Sequence, residues 1–196
     1  MNLILLPELA NLRSSLNDSE QRMILTEVTW TQYGKLLQAL GDSSIYRITY
    51  LNGILEIMSP SRRHEICKKN IARLLEVYLE EVEIDFWGLG STTFREKEGK
   101  VGKEPDESYC LETEKELPDL VIEVIITSGS IKILEVYRRL EIQEIWLWQD
   151  EQLKIYCLKN NQYSLQEKSR LLPNLDLHLF CQFINYPNPR LGIKEF

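Results

Sequence analysis

No apolar run in this chain approaches the roughly 18 residues of a spanning helix, so the sequence predicts no membrane crossing. Its start, MNLILLPELANLRSS, lacks the basic opening and long apolar core of a signal peptide, and a cytoplasmic location is expected. Four cysteines, Cys67, Cys110, Cys157 and Cys181, stand far apart with no CxxC among them. That spacing excludes zinc ribbons and dithiol redox motifs and leaves reduced thiols as the reading. There is no glycine-rich phosphate loop, no Ser-His-Asp ordering and no internal repeat. Positive charge is also short. Lysine and arginine number 23 against 30 acids, a net charge of −7, which counts against strong nonspecific attraction to nucleic acid. The 196 residues suit one domain, read as 25–196 behind an N-terminal arm over 1–24.

What is present centres on residues 104–148. They read as strand (EPDESYC), solvated turn (LETEKEL), strand (PDLVIEVI), turn, helix (IKILEVYRRL) and strand (EIWLW). Glu123 interrupts the apolar run from Leu120 to Ile126. A buried carboxylate either neutralises or finds a cation or hydrogen-bond donors. Alternation puts Asp119, Val121, Glu123, Ile125 and Thr127 on one strand face, and Leu120, Ile122, Val124 and Ile126 on the other. An antiparallel hairpin centred near Glu114 brings Asp106 opposite Glu123, with Cβ atoms about 4.5–5.5 Å apart. Two carboxylates so placed repel unless a cation lies between them, and Mg²⁺ commonly takes one or two carboxylates plus water. The literal pair Asp119 and Glu123 fails, because four residues along a strand span about 13 Å.

Upstream, Thr29 or Thr31 caps a helix that runs to Leu40 and stops at Gly41. Asn52-Gly53 between two apolar runs predicts a type I′ hairpin, which pairs Thr49 with Glu56. Ser59-Pro60-Ser61 opens a helix over 62–82, with His64 in its first turn and Ile66, Ile71, Leu74, Leu75, Tyr78, Leu79 and Val82 on its apolar face. Arg62, Arg63, Lys68, Lys69 and Arg73 form a basic stretch able to hold phosphates or simply to be solvated. Residues 84–87 and 91–94 read as strands, and 95–103 as an exposed loop. Trp146 and Trp148 share a strand face, for core or dimer packing rather than base stacking. A hairpin follows around Lys159-Asn160-Asn161, then a short helix within 175–184, and Pro187 and Pro189 mark a loose end.

These pieces resemble the Uma2-type endonucleases, also called DUF820, which are abundant in cyanobacteria and belong with restriction endonucleases to the PD-(D/E)xK superfamily. The matching stretches are EPDESY, PDLVIEV, Ser128-Gly129, LEVYRRL, EIWLW and LNGILEIMSPSRRHE, together spanning about residues 25–185. The resemblance implies an α/β (α+β) fold: a restriction-endonuclease-like central mixed sheet flanked by helices. It implies Mg²⁺-dependent (or Mn²⁺-dependent) hydrolysis of nucleic-acid phosphodiesters, most readily DNA, with Asp106 and Glu123 as metal-binding acids. His64 matches the family histidine and, with Arg62 and Arg63, is expected at substrate phosphate. Two slots depart. The superfamily lysine two residues after the glutamate is Ile125. The displaced lysine of Uma2-like proteins, four residues before a tyrosine, falls at Ile133, leaving Lys132 one position away as the candidate catalytic lysine. The acid usual at the place of Thr49 is replaced by Glu56 across the hairpin, a further candidate. These departures and the acidic composition keep open a nuclease fold that has lost cleavage and serves as a binding or scaffold module, and, more weakly, a toxin-like enzyme acting on RNA. A homodimer is a further expectation.

Overall fold

The computed structural model describes residues 20–41, 45–96, 100–127 and 131–196. Two sheets carry the fold. The first is antiparallel, in the order β1-β3-β2-β6-β5, from β1 (Gln21–Leu25), β2 (Arg47–Leu51), β3 (Ile54–Ser59), β5 (Phe94–Arg95) and β6 (Val101–Lys103). The second is mixed, in the order β11-β10-β9-β8-β7-β4, from β4 (Phe86–Gly88), β7 (Glu107–Leu111), β8 (Leu120–Ile125), β9 (Glu144–Gln149), β10 (Gln152–Lys159) and β11 (Gln162–Gln166). Only β8 and β9 run parallel. The α+β class expected from sequence therefore holds, with two sheets where a single central sheet was anticipated.

Helix α1 (Trp30–Leu40) covers one face of the first sheet. Thr29 caps it in a reciprocal box with Gln32, and Gly41 ends it at φ 56°. Tyr33 and Leu36 pack on Ile48, Tyr50, Leu55 and Ile57, the inward-facing residues of β2 and β3. The opposite face of this sheet carries Arg22 of β1 with Arg47, Thr49, Glu56 and Met58 of β2 and β3, and it is left for the site.

The second sheet is covered on both sides, as a strand with a parallel neighbour requires. Helix α2 (Arg62–Glu81) starts at Ser61, whose hydroxyl accepts the His64 N–H, and packs with α4 (Leu177–Ile184) on Leu120, Ile122, Val124 and Trp146. The short α3 (Ile133–Arg139) lies on the other face, against Val121, Ile145 and Leu147. The two faces of β8 thus alternate as its sequence predicts. Both tryptophans of β9 belong to the core, in line with that reading. On α2, Ile66 and Val82 are exposed rather than packed, since the helix presents a narrower stripe to the sheet.

Three segments differ from expectation. Residues 21–24, read as the end of an arm, lie in β1 and pair along β3 from Gln21 opposite Ser59 to Leu25 opposite Leu55. Residues 101–103, read as exposed loop, form β6: Val101 is buried, and Gly102 leaves room for the Tyr33 ring, which a Cβ would strike. The tail beyond Pro187 folds into α5 (Pro189–Glu195), because Pro189 sits at the first helical turn, where its missing N–H costs nothing, and Asn188 caps it. Its end packs Phe196 on Phe180 and Phe183. The turn at Ser128-Gly129 falls outside the described residues. Among the described residues, no helix is long and apolar enough to cross a membrane.

The β2–β3 turn takes the predicted form, with Asn52 at φ 48° and Gly53 at φ 89° and Leu51 opposite Ile54. A Cβ at Gly53 meets only ordinary contact, so a substitution there is penalised through the backbone. Gly53→Val should cost about 1–3 kcal/mol, lowering the melting temperature by about 2–4 °C per kcal/mol for a chain of this size. A thermal melt unchanged by the substitution would contradict the turn geometry.

Candidate functional site

The site lies where the chain passes from the first sheet to the second. β6 ends at Lys103, three residues cross, and β7 begins at Glu107. Lys103 pairs across to Thr49, and Thr49 to Glu56, so their side chains form one row on the uncovered face. Arg22, Met58 and Arg47 form the neighbouring row. From the second sheet, β8 brings Glu123 and Ile125. Glu107 pairs with Ile122, and one step along that register sets Asp106 opposite Glu123, the pairing expected from the hairpin. The two rows of the first sheet, with Glu123 and Ile125, surround a cleft of about 200 Å³, lined also by Thr127, Ile131, Ile133 and Gln149.

Every buried acid here has a partner. Glu123, 6% exposed, meets Lys103 Nζ at 3.1 Å and accepts the Tyr137 hydroxyl. The cation that its burial demands is therefore the protein's own lysine. Asp106, 1% exposed, lies beneath the cleft rather than in its lining. Its Oδ2 accepts the Val124 N–H at 2.8 Å; its Oδ1 faces His64 Nε2 at 2.8 Å and Arg47 Nε at 3.5 Å. His64 is wholly enclosed, and its Nδ1 meets Glu20 Oε1 at 2.5 Å. Glu56 lines the cleft and receives Arg22 at 2.6 Å, so it is no surface residue.

The charge states separate. Burial works to raise the Asp106 pKa, but His64, Lys103 and the Val124 N–H outweigh it and hold the group below the ordinary carboxylate range. Burial dominates at Glu123 and raises its pKa, against the opposing pull of Lys103. For His64, burial lowers the pKa, yet hydrogen bonds to Asp106 and Glu20 push it up to about 9. Burial drives the Tyr137 hydroxyl well above its usual value, and it stays a donor. Two neighbouring carboxyls pushed apart in proton affinity are an arrangement suited to divided acid–base roles.

The residues expected from sequence divide accordingly. Asp106, Glu123, Glu56 and His64 are brought together. Lys132 is exposed at the cap of α3 and does not line the cleft, whereas Ile133 does. Arg62 and Arg63 are exposed on the first turn of α2, away from the cleft; Arg63 reaches Glu151 at 3.6 Å. Sequence reasoning missed Lys103, Arg22, Arg47 and Glu20. The signal for Lys103 was the short alternation Val101-Gly102-Lys103, and three residues are too few to announce a strand.

Residues 30–184 match the model of the Uma2 family, described as "Putative restriction endonuclease". Among solved structures, the chain is similar to one described as a putative nuclease belonging to DUF820 from Anabaena variabilis ATCC 29413. Identity is 15%, over 72% of this chain and 85% of that one, with a TM-score of 0.48. No curated protein matches the chain.

The enclosed imidazole makes stability depend on pH. A histidine whose folded pKa is about 9 against an ordinary 6.5 contributes stability that is complete below 6.5 and lost as pH rises to about 9. Asp106 and Glu20, both lowered, contribute stability present above the ordinary carboxylate range and lost as pH falls below it. Stability should therefore decline from pH 6.5 toward 9 by on the order of a few kcal/mol, since one unit is about 1.4 kcal/mol, and the melting temperature should fall with it. His64→Asn should melt lower throughout and lose that alkaline slope. Parallel slopes in the two proteins would mean that His64 is not held as a cation.

Proposed function

Because the chain belongs to the Uma2 family, whose model covers residues 30–184, we propose that it is a divalent-cation-dependent nuclease that hydrolyses phosphodiesters, with DNA as the substrate class. The observation that carries this reading is the convergence of Glu123, Lys103 and Asp106 at the junction of the sheets, beside a cleft lined by Arg22, Arg47 and Lys103. A phosphodiester is an anion, and three cationic side chains around one cleft suit it despite the acidic whole.

The donor set fits a hard cation. Among the described residues no group of three His, Cys, Asp or Glu side chains is arranged to hold a metal ion by itself. Mg²⁺ needs no such cluster, since it commonly takes one or two carboxylates and keeps its waters. Glu123 and Asp106 would hold it, with the backbone carbonyl beside Glu123. Bound there, it supplies a more acidic water and screens charge on the phosphate. The chain's own groups do the rest. Lys103 faces the phosphate and stabilises the charge that gathers on its oxygens, while Arg22 and Arg47 orient it. A water oxygen forms the new bond to phosphorus as the bond to the departing deoxyribose oxygen breaks. The attacking water gives up its proton to solvent. The departing alkoxide gains a proton from solvent.

The scaffold reading has its own support: Ile125 and Ile133 line the cleft where the resemblance places lysines. Lys103 answers that objection, since a lysine enters the same cleft from another strand.

A plasmid-nicking assay with Mn²⁺, run beside calorimetric titration of the metal, tests the reading. Asp106→Asn and Glu123→Gln should abolish nicking and metal binding. Lys132→Ala should nick at nearly the wild-type rate. Lys103→Met removes a positive charge beside both acids, so it should bind Mn²⁺ about tenfold more tightly, about 1.4 kcal/mol, while nicking at least about tenfold more slowly. A wild type that neither binds Mn²⁺ nor nicks, alone or with DNA present, would leave the scaffold reading standing.

A further inference from the structure

Glu20 and Arg22 lie before the family-matched segment, yet both are built into the site. The Glu20 side chain is fully enclosed. Its two oxygens serve different elements. Oε1 meets His64 Nδ1 at 2.5 Å, in the first turn of α2. Oε2 accepts the Thr127 N–H at 3.0 Å and the Thr127 hydroxyl at 2.6 Å, just beyond the end of β8, and lies 3.3 Å from Arg22. Beyond His64 the contact continues from Nε2 to Asp106 Oδ1 at 2.8 Å.

We infer that Glu20 is a positioning residue for the site acid Asp106, acting through the His64 ring. The inference deepens the nuclease reading and rests on it for the importance of Asp106. The physics is that of a ring with two inequivalent nitrogens. What one nitrogen faces sets the proton and orientation of the other. With a carboxylate at each end, both nitrogens are donors only when the ring is a cation. Glu20 therefore fixes the ring plane, keeps Nε2–H pointed at Asp106 and balances the charge. A carboxylate standing behind a functional histidine is a recurrent device whose loss weakens activity. Here the chain is one step longer, because the histidine itself stands behind the acid. Glu20 also joins the first turn of α2 to the end of the strand that carries Glu123, so both acids are referred to one support. The plainer alternative is that Glu20 only staples β1 to the fold.

The two differ at the far nitrogen of the ring. The chain has two histidines, and His178 is exposed, so ¹⁵N-histidine labelling with His178→Gln assigns the ring signals. Wild type should show two solvent-protected ring N–H protons from His64. In Glu20→Ala the Nδ1–H should exchange away, and the Nε2–H should shift or vanish with it. In Glu20→Gln, which keeps the shape if the alanine variant fails to fold, both signals should move upfield together. An Nε2–H signal that keeps its wild-type position and protection while the Nδ1–H changes overturns the inference and leaves a staple. In the Mn²⁺ nicking assay, Glu20→Gln should lower kcat by about tenfold or more, with KM within about a factor of two. A risen KM at unchanged kcat also overturns it. If wild type does not nick at all, the nuclease reading fails, while the ring protons still decide whether Glu20 positions Asp106.

Discussion

The structure depends on compensating charge at the seam between its two sheets. Glu20, Asp106 and Glu123 are all buried there, and an uncompensated carboxylate in such a place costs several kcal/mol. Each takes a different remedy. Glu123 has a lysine from the first sheet and a tyrosine from α3. Asp106 has a backbone amide from its own sheet and a histidine from α2. Glu20 has that same histidine from its other side. The partners come from four elements distant in sequence, so folding the seam requires nearly the whole domain. The arrangement ties the helix on one face of the second sheet to the strand and helix on the other.

The register of the first sheet explains why cations gather there. Once Asn52-Gly53 pairs Thr49 with Glu56, the strands on either side have no freedom about which face they show. β6 must then place Lys103 beside Thr49, and β1 must place Arg22 beside Met58. α1 covers the face that carries Ile48, Tyr50, Leu55 and Ile57, and the opposite face turns Arg22, Arg47, Thr49, Glu56, Met58 and Lys103 to the cleft. A five-stranded sheet with one covered face is thus enough to assemble a basic wall inside an acidic protein. Long-range attraction of nucleic acid is not expected from a net charge of −7, so recognition falls to short-range contacts at this wall.

Legibility in the sequence followed the number of residues that repeat a signal. The β7–β8 hairpin could be centred from its turn, which was enough to set Asp106 against Glu123 before any coordinates. The alternation of β8 spans six residues and assigned both faces correctly. Lys103 escaped because β6 has three residues and follows a lysine- and glutamate-rich stretch whose composition reads as solvated. Glu20 escaped for a different reason: it stands just before β1, an edge strand with mixed exposure, and nothing local tells an acid there that it will meet a histidine 44 residues away. The candidate lysine lies outside the cleft by angle. One residue of displacement on a helix start turned Lys132 outward and Ile133 into the cleft.

A second buried glutamate shows how an acid anchored by fixed donors differs from one beside the cleft. Glu144, at the start of β9, is 1% exposed and interrupts an apolar strand much as Glu123 does. Its surroundings are all donors. It accepts from the Trp146 indole at 2.7 Å, the Ser169 hydroxyl at 2.5 Å, the Cys157 thiol at 3.3 Å and the backbone N–H groups of Arg170 and Leu171 at 2.8 and 3.3 Å. Those contacts pin the 169–171 segment to the sheet and spend both carboxylate oxygens on fixed donors. Such an acid is an anchor: its charge is dispersed over neutral dipoles and it has no role that requires it to change partner. Glu123 has a single formal cation and a hydroxyl, borders a cleft, and sits where burial favours its proton. The parallel pair β8 and β9 therefore places side by side an acid committed to the fold and an acid left available. Sequence pattern could not separate them, because both are single carboxylates in apolar strands. Only the count and charge of their partners does.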